Sequence, residues 1–218
     1  MQPNAMIYSK IPKERLIRLL RSIGGIEREY RAGEYMILQG ENHKFVSFLV
    51  DGTAHASRSD VAGREADYTS LLAGTFFGDI LALSEEEKSP VSVLADTTCR
   101  VIDFPYDALL NSDDPDAAKL LQILLISVSE RFFKLQKRVF CLTRGTLREK
   151  IAAFLNDQRD AHHADEFTIP FDRDAMAAYL YCDRSALSRE LSAMKAEGLI
   201  DYRKNRFVIL KHHFLKND

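Results

Sequence analysis

Between Pro115 and Leu142 the chain has no glycine and no second proline, and its apolar residues form a seam. Ala118, Leu121, Leu125, Val128, Phe132, Leu135, Val139 and Leu142 follow one another at alternating steps of three and four. A period of about 3.5 held this long predicts one long helix whose a and d positions face a second copy, as in a parallel coiled coil. Leu120, Leu124, Ile126 and Phe133 lie beside the seam, so one flank must also pack on its own domain.

The pattern upstream is different. Residues 31–110 contain short runs of alternating polarity separated by Gly33, Gly40, Gly52, Gly63, Gly74 and Gly78. Tyr35–Leu38, Phe45–Val50, His55–Ser57, Tyr68–Leu72, Val91–Leu94 and Cys99–Phe104 are the strand-like segments. Strands this short at this spacing predict an antiparallel barrel or sandwich, preceded by a helix over about Lys13–Ser22.

Downstream, the run from Phe171 to Gly198 predicts two short helices joined by a tight turn. The first covers about Arg173–Leu180, with Met176 and Leu180 inward and Ala177 and Ala178 small enough for a close crossing. Asp183 suits an N-cap for the second helix, and Gly198 suits its left-handed C-terminal position. Leu187, Leu191 and Met194 form the buried stripe, which leaves Arg184, Ser185, Ser188 and Arg189 on the other face. Arginine is shaped to hold guanine O6 and N7 with two donors, and serine allows close approach, so this reads as a DNA-recognition helix. The turn Leu180–Tyr181–Cys182 lacks the glycine that such turns often use. Two β-like runs follow, Leu199–Arg203 and Arg206–Leu210, around Lys204–Asn205. Asn205 tolerates the positive φ of a tight hairpin, and Lys204 and Arg206 are placed to meet phosphates, as in a winged helix-turn-helix.

Charge agrees with that division. The 218 residues carry a net charge of −2. Residues 1–130 hold 13 Lys and Arg against 20 Asp and Glu, whereas residues 131–218 hold 17 against 12. The basic half carries the reading helix, as an electrostatic footprint for phosphates requires. No phosphate-binding glycine loop, nucleophile elbow or metal-ligand pair at helical spacing is present, so no enzyme is expected. The uncharged apolar stretch of about Leu120–Ser129 is too short to span a membrane. Cys99, Cys141 and Cys182 stand at unrelated spacings, in keeping with a reducing cytoplasm. His162–His163 and His212–His213 read as exposed loop residues, as does Glu85–Glu86–Glu87. A ligand-binding regulatory module with no DNA role is the rival reading, and it has no need of the Arg184/Arg189 face or the winged hairpin.

The segments RAGEYMILQGENHKFVSFLVDG (31–52), GTFFGDILAL (74–83), SPVSVLADTTCRVIDFP (89–105), LREKIAAFL (147–155) and CDRSALSREL (182–191) resemble the Crp–Fnr superfamily of bacterial transcription regulators over nearly the whole chain. The resemblance implies an α+β chain: an N-terminal antiparallel β-roll (1–112), a long dimerisation helix (113–143) and a C-terminal winged helix-turn-helix (144–218). It implies a homodimer on a pseudo-palindromic site in double-stranded DNA, with RNA polymerase as a candidate partner. An effector bound in the roll against the long helix would change the pose of the DNA-binding domains.

Members that bind cyclic AMP hold its ribose with a Glu and its phosphate with an Arg–Ser pair. Here Gly78 is kept, Asp79 stands at the Glu position, and the Arg–Ser pair falls on Ser89–Pro90, or on Lys88–Ser89 if the loop is one residue longer. Losing the arginine removes the bidentate counter-charge of a buried phosphate, so a cyclic nucleotide is not expected, and a cAMP-responsive regulator is an alternative if Lys88 takes the arginine's place. An iron–sulfur cluster needs clustered thiolates, which three isolated cysteines do not supply. Haem remains an alternative, with His43, His55 or Cys99 as axial ligand, but no cofactor is required. A small organic or anionic effector is favoured, in a pocket lined by Phe76, Phe77, Gly78, Asp79, Ile80, Ser89, Pro90, Val128, Arg131, Phe132 and Leu135.

Overall fold

The computed structural model describes residues 10–59, 65–84, 88–212 and 214, and it divides into two compact units, Met1–Val128 and Ser129–Asp218. Glu85–Glu86–Glu87, Gly63 and His213 lie outside the described residues.

The first unit opens with α1 (Lys13–Ser22), followed by β1 (Ile26–Tyr30), β2 (Tyr35–Ile37), β3 (Val46–Asp51), β4 (Thr53–Ser59), β5 (Glu65–Leu72) and β6 (Phe76–Phe77). A one-turn helix, α2 (Asp79–Leu83), precedes β7 (Ser92–Ala95), β8 (Cys99–Phe104) and α3 (Tyr106–Leu110). The strands form two antiparallel sheets ordered β1-β8-β3-β6 and β2-β7-β4-β5. β3 is buried on both faces, which its side-chain period of two makes legible. Val46, Phe48 and Val50 point to the core shared with Leu16, Leu19, Leu20, Ile102 and Phe104. Leu49 points the other way, toward Ile37, Leu71, Phe77, Val93 and Val101 between the sheets. β1 is an exposed edge strand, and Phe76–Phe77 is too brief to stand out in sequence.

The long helix α4 spans Pro115–Leu142, and the boundary between the two units falls inside it. Its N-terminal half buries Ala117, Leu120, Ile123 and Leu124 in the roll's helix-covered core. Leu120 and Leu124 are the flank residues that pack inward, whereas Phe133 is 62 % exposed; along the seam Leu125 is 68 % exposed, Leu135 61 % and Phe132 53 %, with Leu121, Val128 and Leu142 half-buried.

The second unit continues with α5 (Leu147–His162), β9 (Glu166–Thr168), α6 (Arg173–Leu180), α7 (Arg184–Ala196), β10 (Ile200–Arg203) and β11 (Arg206–Ile209). Thr146 and Glu149 cap α5 reciprocally, a capping box that fixes where the helix starts after Gly145. Ile151, Phe154 and Leu155 of α5 meet Met176, Leu180, Leu187, Leu191 and Met194 in one core. The last turns of α4 belong to this unit: Cys141 is in the same core, Lys137 pairs with Asp157, and the Arg138 guanidinium lies over the Tyr179 ring. No helix among the described residues is long and apolar enough to cross a membrane.

Candidate nucleic-acid interface

The two-helix motif is built locally. Asp172 caps α6, its Oδ1 accepting the Ala175 N–H at 2.8 Å. The helix ends in a Schellman closure, with the Cys182 N–H on Ala177 O at 3.0 Å and the Tyr181 N–H on Ala178 O. Tyr181 takes the left-handed position at φ 52°, where glycine would be strain-free, at a cost of about 1 kcal/mol. α7 then closes on Gly198 at φ 68°, with the Leu199 N–H on Met194 O at 3.0 Å. Leu187, Leu191 and Met194 are fully buried, as their spacing predicts.

Two expectations need correction. Asp183 has the backbone geometry of an N-cap, but its exposed carboxylate makes no cap hydrogen bond, so solvent takes the place of the helix N–H groups. In the wing turn it is Lys204, at φ 55°, that adopts the left-handed conformation, and not Asn205. Asn205 is held instead by Ile169: its backbone oxygen accepts the Ile169 N–H at 2.9 Å, and its Nδ2 donates to Ile169 O at 3.0 Å. Asn205 therefore shapes the wing and has one of its donors already committed.

The predicted face is assembled. Arg184, Ser185 and Arg189 are exposed on α7, with Ser188 half-buried between them. Arg184 Nη1 lies 3.4 Å from Asp174 Oδ2, whereas Arg189 has no ion-pair partner among the described residues. Arg206 Nε donates to Glu166 Oε1 at 2.6 Å, so this arginine meets a phosphate only by leaving or sharing a carboxylate. A cleft of about 610 Å³ opens between the start of α6, the start of α7 and the wing, lined by Asp172, Arg173, Asp174, Arg184, Lys204 and Asn205 among others. Arg173, which the sequence reading passed over, stacks its guanidinium on the Tyr202 and Phe207 rings, 4.8 and 5.3 Å from their centroids. Burial pushes its pKa below the usual arginine value. Arg203 extends the basic wing, paired across the hairpin with Arg206, and the run RKNR was its only signal in the sequence.

Arg148 connects this face to α5. Its Nη1 and Nη2 hold the two Glu197 oxygens at 2.8 and 2.7 Å, and its Nε holds Glu190 at 2.5 Å. The carboxylates of Glu197, the C-cap of α7, and of Glu190 raise the arginine's pKa well above its ordinary value.

Phe77 is buried between the sheets, Asp79 is buried in the first turn of α2, and Ile80 and Pro90 are exposed. Gly78 sits at φ 71°, and a Cβ there would come within 2.6 Å of His43 Nε2 and 2.9 Å of Phe45 O, so no larger residue fits. Ser89 is buried, and its hydroxyl donates to Val91 O at 2.6 Å. Val128 ends the first unit; Arg131, Phe132 and Leu135 stand on α4 in the second.

Beside Gly78 runs a polar chain missed in the sequence. Ser47 Oγ donates to Asp103 Oδ1 at 2.6 Å, and Arg28 Nε donates to Asp103 Oδ2 at 3.0 Å. With that hydroxyl proton already used, Ser47 receives His43 Nε2, at 3.3 Å, as an acceptor. His55 is oriented by Asp96, Nδ1 to Oδ1 at 2.5 Å. Cys99 is buried in the roll with Sγ on Thr53 O, and Cys141 is buried in the core of the second unit, its pKa pushed up by burial to about 11. Cys182 is half-buried ahead of α7.

Comparison with known proteins matches this arrangement. A family model for the cyclic nucleotide-binding domain matches residues 27–112, and one for the Crp-like helix-turn-helix domain matches residues 149–217. The chain belongs to the Crp–Fnr superfamily. This Crp–Fnr protein is a DNA-binding transcription regulator with an effector-binding domain. It is 27 % identical over 195 residues to the transcriptional activator protein FnrL of Cereibacter sphaeroides, covering 84 % of this chain and 75 % of that one. It is 26 % identical over 190 residues to the cAMP-activated global transcriptional regulator Vfr of Pseudomonas aeruginosa, covering 84 % and 88 %. Among solved structures, CprK complexed with OCPA aligns with a TM-score of 0.67 at 17 % identity, over 92 % of this chain and 91 % of that one. The c-di-GMP responsive regulator CLP of Xanthomonas campestris aligns at 0.57 and 20 % identity, over 90 % and 98 %. At those identities the two structures share the fold of this Crp–Fnr chain.

Proposed function

We propose that the regulator works as a homodimer joined along α4, presenting two α7 helices to successive major grooves of a pseudo-palindromic operator. The observation that carries this is the outward seam of α4, with Leu125, Phe132, Leu135 and Val139 all exposed in the single chain while Leu120, Ile123 and Leu124 of the first half are buried. Exposed apolar rows of this size mark an association surface. The bases are read by Arg184 and Arg189, with Ser185 and Ser188 allowing close approach, and Lys204 meets the backbone from the wing. RNA polymerase is the further partner of such a regulator, and the chain turns over no substrate.

The effector we propose is a small organic or anionic molecule other than a cyclic nucleotide, bound without a required cofactor. Two features support that. Ser89 and Pro90 stand where an arginine and a backbone donor would hold a cyclic phosphate, and the Ser89 hydroxyl is spent on its own loop. Protein purified from its own host, taken through native mass spectrometry and an absorption scan, tests the reading. A bound small molecule supports it; a Soret band replaces it with haem, and a cyclic nucleotide overturns it. Selection of duplexes from a randomised pool tests the DNA half, where an enriched site without two-fold symmetry would contradict the dimer.

A further inference from the structure

Asp174 is a carboxylate on a surface otherwise furnished to meet phosphates. It lies in the first turn of α6 and lines the same cleft as Arg173, Arg184 and Lys204. Its neighbour Asp172 is occupied in capping the helix, but Asp174 has Arg184 as its one ion-pair partner among the described residues, Oδ2 to Nη1 at 3.4 Å. Both side chains are mostly exposed, at 68 % and 64 %, so the pair adds little to the stability of the fold. Its consequence falls on DNA.

We propose that Asp174 is a specificity-determining residue that positions the Arg184 guanidinium for one base and penalises the others. The inference rests on the reading of Arg184 as a base contact. Guanidinium carries five donors. Two of them reach guanine O6 and N7, and a third remains for Asp174, so the correct base leaves the acid paired. At a pair without those acceptors, Arg184 turns to a phosphate or to solvent. Asp174 is then left as an unpartnered anion facing the DNA backbone, and binding weakens by charge repulsion. The carboxylate thus lowers affinity for every duplex and lowers it most where Arg184 has nothing to hold.

The test is binding of the full chain to duplexes chosen by the wild-type protein, to every single-base-pair change in one half-site, and to an unrelated duplex. Asp174→Asn is expected to bind the unrelated duplex roughly twofold to fivefold more tightly, the range open to one exposed charge pair. It is also expected to lose a similar factor of discrimination at one base pair, the same pair whose preference Arg184→Ala erases. On the Arg184→Ala background, Asp174→Asn should change discrimination no further, and Asp174→Glu alone should keep most of it. If Arg184→Ala erases a preference but Asp174→Asn leaves it intact, the role of Asp174 is refuted while Arg184 stands as a base contact. If Arg184→Ala erases no preference, both assignments fall.

Discussion

Arg148 of α5 holds Glu197, the C-cap of α7, through two parallel hydrogen bonds, Nη1 to Oε2 at 2.8 Å and Nη2 to Oε1 at 2.7 Å. With its Nε on Glu190, one guanidinium fixes two points along the reading helix. Lysine keeps the charge but not the planar fork. Arg148→Lys should therefore weaken binding to the selected operator by roughly twofold to fivefold, the range open to a partly exposed network, while affinity for unrelated DNA at low salt holds. Equal losses on both duplexes, in a titration read by fluorescence anisotropy, would mean that the clamp does not orient α7.

Charged residues on the α4 seam should separate the protomers. Leu125→Glu with Phe132→Glu places like charges opposite one another in a parallel pair, and light scattering should report the mass of one chain. A scattering mass still equal to two chains would place the dimer contact elsewhere.

Arg189 and Lys204 should fail in different ways. Arg189→Ala should cost about 1–3 kcal/mol on the operator and relax a guanine in each half-site. Lys204→Ala should weaken all sequences about equally and reduce the salt slope by about one phosphate contact. A sequence-selective loss for Lys204→Ala would contradict the wing as a backbone contact.

His43 supplies a pH dependence with a definite sign. Burial lowers its pKa from the ordinary 6.5, against the opposing pull of Asp103. The folded chain then binds fewer protons than the unfolded one between the lowered value and 6.5. Stability should rise with pH across that window and be constant above it, and His43→Gln should flatten the rise in urea titrations. Ser47→Ala removes the donor to a buried Asp103 oxygen and should cost about 1–3 kcal/mol at all of these pH values. A wild-type profile that falls with pH through the window would refute the assignment.

The sequence was most readable where one physical pattern ran uninterrupted. Lys13–Ser22, Pro115–Leu142 and Cys99–Phe104 have the limits that their periodicity predicts. β1 was missed because IEREY, on a sheet edge, has little to bury, and Phe76–Phe77 because two residues carry no period. The α7 stripe and its exposed arginines were legible, since a helix sorts its faces by local spacing alone. The partners were not: Asp174 reaches Arg184 across a turn, Arg148 reaches Glu197 from another helix, and Ser47 meets Asp103 through strand register. Asn205 shows the same limit, because its role comes from Ile169, which the chain brings alongside only after folding.

The placement of the three thiols has a practical corollary. Cys99 and Cys141 are sealed in their cores, whereas Cys182 is partly open to solvent directly ahead of α7. Maleimide chemistry under native conditions should thus mark that one sulfur, slowly because burial raises its pKa, and seat a fluorophore beside the reading helix with no engineered cysteine.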